Sequence, residues 1–151
     1  MRIVLQRVSR SAVEVDGEIT GLIGTGLLAL VGIAHGDTAA DARIAAAKTV
    51  GIRIFPDATS KMNRSVADIG GAVLVVSQFT LLADVRKGRR PAFTAAARAE
   101  EAIPILASFA EALEAEGVRV EHGRFGAHME VDLLNDGPVT IVFDVQDGRI
   151  G

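Results

Sequence analysis

The stretch LLNDGPVTIV, residues 133–142, decides how the C-terminal part of this chain folds. Asn-Asp-Gly before a run of β-branched residues is a strong hairpin signal. We therefore predict two strands, Met129–Leu134 and Val139–Val145, joined by a tight turn. Pro138 does not suit that turn, because proline lacks the N–H with which the second strand would begin to pair. Its benefit is expected to lie outside the hairpin.

Outward from this stretch, the hydrophobic pattern predicts a mixed α/β fold. Strands are predicted at Arg2–Val8, Ser11–Val15, Glu18–Ile23, Leu27–Ile33, Val73–Leu82 and Val118–His122. One helix is predicted to start at an Asp37 or Thr38 cap and to run to about Val50, and a second to span Glu100–Glu116 before Gly117. Strands outnumber helices and tight turns link several of them. The predicted fold class is thus α/β, a single domain over residues 1–151 with a largely antiparallel curved sheet or barrel and helices packed on one side.

Composition narrows the class of protein. Hydrophobic residues make up 49% of the 151 residues, which excludes intrinsic disorder. The longest apolar stretch, Leu22–Ala34, is interrupted by glycines and is too short to span a membrane. The chain opens with a strand pattern rather than a signal peptide, so we expect a cytoplasmic protein with no membrane contact. The absence of cysteine excludes disulfides, thiolate zinc sites and a cysteine nucleophile.

Charge is concentrated in one place. The net charge is −3, yet four of the five residues in RKGRR, residues 86–90, are cationic. A positive cluster on an acidic body suits phosphate groups and discourages indiscriminate nucleic-acid binding, DNA included. The alternative is a solvated basic loop without a ligand.

Common catalytic motifs are missing from the sequence. It contains no phosphate-binding glycine loop and no nucleophile elbow of the G-x-S-x-G type. His122 and His128 flank a glycine-containing loop, but their spacing matches no strong ligand pattern, so we predict neither a metal site nor a cofactor. The polar anomaly is VVSQFTLLAD, residues 75–84, where Ser77, Gln78 and Thr80 interrupt an apolar run. Buried polar groups of this kind need hydrogen-bond partners, although alternation toward solvent would also explain Gln78 and Thr80.

Taken in order, several segments resemble the D-aminoacyl-tRNA deacylase family. They are MRIVLQRV at the N-terminus, GLIGTGLLALVGI at 21–33, KMN at 61–63, SQFTL at 77–81, LLADVRKGRRPAF at 81–93, FGAHMEV at 125–131 and NDGPVT at 135–140. The resemblance covers nearly the whole chain. His128 is a local departure, in a loop where small or apolar residues are more usual.

The resemblance implies a role for Gly137 and Pro138. Their peptide bond would be cis, and the pair would enter the active site of the partner in a homodimer. Two rigid backbone carbonyls would bind the ammonium of an aminoacyl group, and Gly137 would allow their close approach. An L side chain would strike this backbone whereas a D side chain points outward, so selection is by steric rejection. Glycine has no side chain to reject, so glycine mischarged on tRNA for alanine is also an expected substrate.

The resemblance also implies the remaining site residues. Ser77, Gln78, Phe79 and Thr80 would line the pocket for the terminal adenosine and the ester. Either Thr80 attacks the ester, or the ribose 2′-hydroxyl helps activate water while backbone N–H groups near Phe79 and Thr80 stabilise the oxyanion; we favour the second.

Outside this pocket, Arg7 would brace the Gly-Pro carbonyls, although arginine on a first strand is more often exposed. The cations Arg86, Lys87, Arg89 and Arg90 would meet the acceptor-stem phosphates. Two alternatives stay open: a tRNA-binding module without catalysis, and a hydrolase of small D-amino-acid esters or amides.

Overall fold

A computed structural model describes residues 1–151 as one curled, open seven-stranded sheet with two helices and a small separate sheet of two strands, β4 and β5. The strand order in the sheet is β7-β6-β3-β1-β8-β9, and β2 pairs with the C-terminal end of β1. The strands are β1 (Arg2–Val15), β2 (Glu18–Ile23), β3 (Gly26–Gly32), β4 (Phe55–Pro56), β5 (Met62–Arg64), β6 (Ala72–Ser77), β7 (Arg119–His122), β8 (Glu130–Gln146) and β9 (Arg149–Ile150). The helices are α1 (Ala39–Gly51) and α2 (Ala99–Ala115), and a short 3-10 helix spans Phe79–Leu82. Neither α-helix is both long and apolar enough to cross a membrane.

The predicted C-terminal hairpin is wrong. Residues 130–146 form the single strand β8, and both of its halves pair with β1 rather than with each other. Between the pairs Gln6–Thr140 and Val8–Asn135, four residues of β8 face one residue of β1, which makes a wide bulge. The turn-forming residues thus bulge out of a strand instead of reversing it. β1 is likewise one strand where two were predicted.

The sheet is largely antiparallel, as predicted, and one side of it is parallel. β1 pairs antiparallel with β2, β3 and β8, whereas β6 lies parallel to β3 and β7 lies parallel to β6. Parallel neighbours need long crossovers, and α1 and α2 lie in the two crossover segments. The strand predicted over Val73–Leu82 ends at Ser77, where the chain turns into the 3-10 helix. The sheet therefore ends where the polar segment begins.

Both helices pack on one face of the sheet, as predicted. Their buried side chains, such as Ala45 of α1 and Phe109 of α2, belong to the same core cluster as Leu5 and Val75 of the sheet. A smaller core on the other face contains Val13 and residues of β2, β3 and β6. The segment 127–133 packs against this second core.

The start of α1 and the end of α2 follow from local capping signals that the sequence predicts. Thr38 caps α1: its hydroxyl accepts a bond from the Asp41 N–H (3.2 Å), and the Asp41 carboxylate accepts one from the Thr38 N–H (3.0 Å). Asp37, the other predicted cap, instead binds the Met1 ammonium at 2.6 Å. Gly117 follows the end of α2 with φ +80°, the left-handed conformation that ends many helices.

Candidate active site

A cleft of about 600 Å³ opens at the C-terminal end of β6. Ser77, Gln78 and Phe79 lie in its lining, so the structure brings three of the four predicted pocket residues together. Most of the other lining side chains are apolar and come from residues 93–102 and 125–131. Clefts of this size and character suit small organic ligands that carry an apolar or aromatic part.

Thr80, the fourth predicted pocket residue, is exposed beside the cleft and does not line it. Its hydroxyl accepts a hydrogen bond from the side-chain amide of Gln78. An amide cannot take a proton from a hydroxyl, so this contact does not activate Thr80 as a nucleophile. Phe79 and Thr80 begin the 3-10 helix, which offers no carbonyl partner to their N–H groups.

Gly137 and Pro138 lie exposed on the β8 bulge, and the peptide bond between them is cis, as the family resemblance implies. Gly137 has φ +145°, and a Cβ there would come within 2.7 Å of the Val139 nitrogen. Only glycine therefore suits this position. The Asn135 side chain spans the bulge, accepting from the Val139 N–H (2.8 Å) and donating to the Val139 carbonyl (3.2 Å).

Arg7 supports this bulge from inside the protein. It is only 8% exposed, unlike most arginines on a first strand. Its Nε donates to the Asp136 carbonyl at 2.8 Å, and its Nη1 donates to the Ile54 carbonyl. Arg7 thus braces the carbonyl directly before Gly137, rather than the Gly137 and Pro138 carbonyls themselves.

Within one chain the Gly137–Pro138 pair lies well away from the cleft. Strands β3 and β1 separate β6 from the bulged part of β8, so the bulge lies three strand spacings, or about 14 Å along the curled sheet, from β6. The bulge lies opposite Arg7 of β1. Following the strand pairing from Arg7 across the sheet leads to Val73 of β6. Val73 is four residues, or about 13 Å, from Ser77 along that strand.

The basic segment forms a loop closed at its base by mutual hydrogen bonds between the backbones of Asp84 and Ala92. Arg86 is already paired, because its Nε and Nη2 donate to the Asp84 carboxylate at 2.9 and 2.7 Å. This guanidinium holds the pKa of Asp84 below its usual value. The other three predicted phosphate ligands, Lys87, Arg89 and Arg90, are exposed and make no ion pair within the chain.

Some cleft residues were missed by reasoning from the sequence. Phe93, Phe125 and His128 line the cleft, and His122 lines a neighbouring cavity. No group of three or more His, Asp or Glu side chains converges so as to hold a metal ion. The available signal was the position of Phe93 and Phe125 inside two of the family-like segments, which alone does not assign them to one cleft.

Comparisons with known proteins identify the family of this chain. The sequence model described as D-Tyr-tRNA(Tyr) deacylase matches residues 4–144. A D-aminoacyl-tRNA deacylase of Thermomicrobium roseum is 58% identical over 151 residues, covering 100% of this chain and 98% of that protein. One of Chloroflexus aurantiacus is 55% identical, covering 99% and 94%.

Among solved structures, one described as c-Myc DNA Unwinding Element Binding Protein superposes with a TM-score of 0.90. It is 39% identical and covers 97% of this chain and 99% of its own. The family model and the identities over the full length lead to one conclusion: this chain belongs to the D-Tyr-tRNA(Tyr) deacylase family.

Proposed function

We propose that this protein hydrolyses the ester bond of D-aminoacyl-tRNA, releasing the free amino acid and the tRNA. Water adds to the ester carbonyl carbon, the bond from that carbon to the ribose oxygen breaks, and the ribose oxygen takes up a proton. The observation that carries the proposal is a cleft lined by Ser77, Gln78 and Phe79, next to a cationic loop, in a member of this family. We also propose that the protein works in the cytoplasm.

Chiral selection would come from Gly137 and Pro138 of a partner subunit. Their exposure, their distance from the cleft of their own chain and the support from buried Arg7 all favour a role toward another molecule. Carbonyl oxygens there would accept hydrogen bonds from the substrate ammonium and leave no room for an L side chain. Glycine passes the same filter, so glycyl-tRNA mischarged on tRNA for alanine is a second substrate.

This arrangement requires a homodimer with two-fold symmetry. In such an interface each subunit gives its bulge to the cleft of the other, and one surface serves both active sites. The monomer would hold the catalytic segment and the selective segment too far apart to act together.

Catalysis would depend on backbone donors and on the substrate itself. The N–H groups of Phe79 and Thr80 would stabilise the oxyanion of the tetrahedral intermediate, and the ribose 2′-hydroxyl would assist the attacking water. An aminoacyl ester is already prone to hydrolysis, so this modest set of groups suffices. The hydrogen bond from Gln78 to Thr80 favours this mechanism over attack by Thr80.

A single-turnover assay tests the proposal. D-aminoacyl-tRNA and its L counterpart are each incubated with excess protein and without it, and the loss of ester is followed. We expect rapid loss of the D ester only. Tight tRNA binding without accelerated hydrolysis would instead select a binding module. Equal activity on a D-amino-acid methyl ester would select a small-molecule esterase.

A further inference from the structure

Two phenylalanine rings form a pair at the rim of the cleft. The ring centroids of Phe79 and Phe93 are 5.0 Å apart, and their planes meet at 75°. Phe79 is 54% exposed, which is unusual for so large an apolar side chain. Both rings line the cleft, and the exposure of Phe79 places the pair at the mouth rather than at the floor.

The pair lies directly against the base of the cationic loop. Phe93 follows Ala92, which pairs with Asp84 to close the loop, and Phe79 begins the 3-10 helix that leads to Asp84. The free cations Lys87, Arg89 and Arg90 lie beyond that closure. The ring pair therefore connects the base of the cationic loop to the cleft.

Exposed aromatic rings beside cations are the usual means of holding single-stranded nucleic acid, because any base can stack on a ring while phosphates meet the charges. We propose that the Phe79–Phe93 pair stacks the base of the penultimate nucleotide, the one before the nucleotide that carries the ester. This inference rests on the proposed function.

The order of the features selects this nucleotide. The ester must reach Ser77 and Gln78, so the terminal nucleoside occupies the cleft itself. The loop cations hold phosphates further from the ester. The ring pair, with Phe79 exposed and Phe93 half-buried, lies between these two positions, where the next base toward the stem would be.

The experiment changes the base and the ring separately. Wild-type protein and Phe93→Leu are assayed on D-aminoacyl-tRNA, on the same tRNA with an abasic penultimate nucleotide, and on D-aminoacyl-adenosine. We expect the abasic substrate to lower wild-type kcat/KM by at least about fivefold, the lower limit for loss of one stacked base. We expect Phe93→Leu to lower kcat/KM on intact tRNA by a similar factor, and by a clearly smaller factor on the two substrates that lack the base.

Phe125→Leu is the matched control, since Phe125 lines the cleft outside the Phe79–Phe93 pair. It should lower kcat/KM by the same factor on all three substrates. Wild-type activity that is insensitive to the abasic change overturns the inference, whatever the variants do. Equal losses for Phe93→Leu on all three substrates overturn it as well. A wild-type protein that hydrolyses none of them instead defeats the proposed function.

Discussion

The hydrogen bond between Gln78 and Thr80 argues against Thr80 as the nucleophile. The side-chain hydrogen-bond partner of the Thr80 hydroxyl is the Gln78 amide, and an amide cannot act as the base that a nucleophilic hydroxyl needs. We predict that Thr80→Ala keeps at least about a tenth of the wild-type single-turnover rate, since loss of one positioning group costs far less than loss of a nucleophile. Thr80→Ser should stay close to wild type. Near-complete inactivity of Thr80→Ala, with folding and tRNA binding intact, would restore the nucleophile mechanism.

Asp41 makes the fold sensitive to acid. Its pKa is lowered, chiefly by the hydrogen bond from the Thr38 hydroxyl and then by that from the Gly148 N–H. A carboxylate whose pKa is lower in the folded state stabilises the protein above its unfolded pKa, near 4, and that contribution is lost as the pH falls through the folded pKa.

The corresponding measurement is the free energy of unfolding of Asp41→Asn and wild type in urea. We predict that the variant is less stable by about 1–3 kcal/mol at pH 7, because it loses a buried, charged acceptor. The difference should shrink between pH 4 and pH 2. Glu111→Gln, at an exposed position of α2, is the control and should show little difference at either pH. A gap that stays constant from pH 7 to pH 2 would show that the charge of Asp41 is unimportant.

At the scale of elements, the basic loop divides its cations into two groups. Arg86 is engaged by Asp84, whereas Arg89 and Arg90 are free. We predict that replacing Arg89 and Arg90 together by Ala weakens tRNA binding to the same degree for D-aminoacyl, L-aminoacyl and uncharged tRNA. Binding weakens equally because phosphate contacts carry no information on chirality. The slope of log K against log salt should become less steep by about 2, because two fewer cations displace counterions from the phosphates.

Arg86→Ala is the control in the same loop, with a smaller change in slope. Binding would be measured by fluorescence anisotropy from 50 to 300 mM salt. A change in the preference between D and L esters on replacing Arg89 and Arg90 would place the loop in the chiral pocket.

Elements with local signals could be predicted from the sequence, and elements fixed by distant partners could not. The end of α2 follows from Gly117, and the start of α1 follows from Thr38 with its capping box. The sequence around Gly137 has the composition of a turn, but both of its flanks find a longer partner in β1, more than a hundred residues away. At this position the pairing of both flanks with β1 outweighs the local turn propensity of the sequence. Phe93 and His128 could not be predicted for the same reason, because they join Ser77 of β6 in the cleft only through the tertiary fold.

For the molecule as a whole, the distance between bulge and cleft predicts that activity depends on assembly. We predict a dimer in which mixing two inactive variants restores function. One variant carries Gly137→Val, which disrupts its bulge and leaves its cleft intact. The other carries Phe79→Asp, which disrupts its cleft and leaves its bulge intact. A mixed dimer contains one cleft and one bulge that are both intact, so D-ester hydrolysis should return to a fraction of wild type.

Subunit exchange followed by the single-turnover assay measures this rescue. Mixing Gly137→Val with the double variant Gly137→Val/Phe79→Asp is the control and should give no rescue, because neither subunit then carries an intact bulge. A wild-type protein that sediments as a monomer and stays fully D-selective would contradict the prediction.

The bulge in β8 bears on which insertions and deletions this protein can accept during evolution. Pairing with β1 fixes the strand at Asn135 and again at Thr140, and the Asn135 side chain ties the two ends together. Residues between those anchors can vary in number without shifting the register of either flank. The segment is thus an insert in a rigid frame, and its length can change while the core stays unaltered.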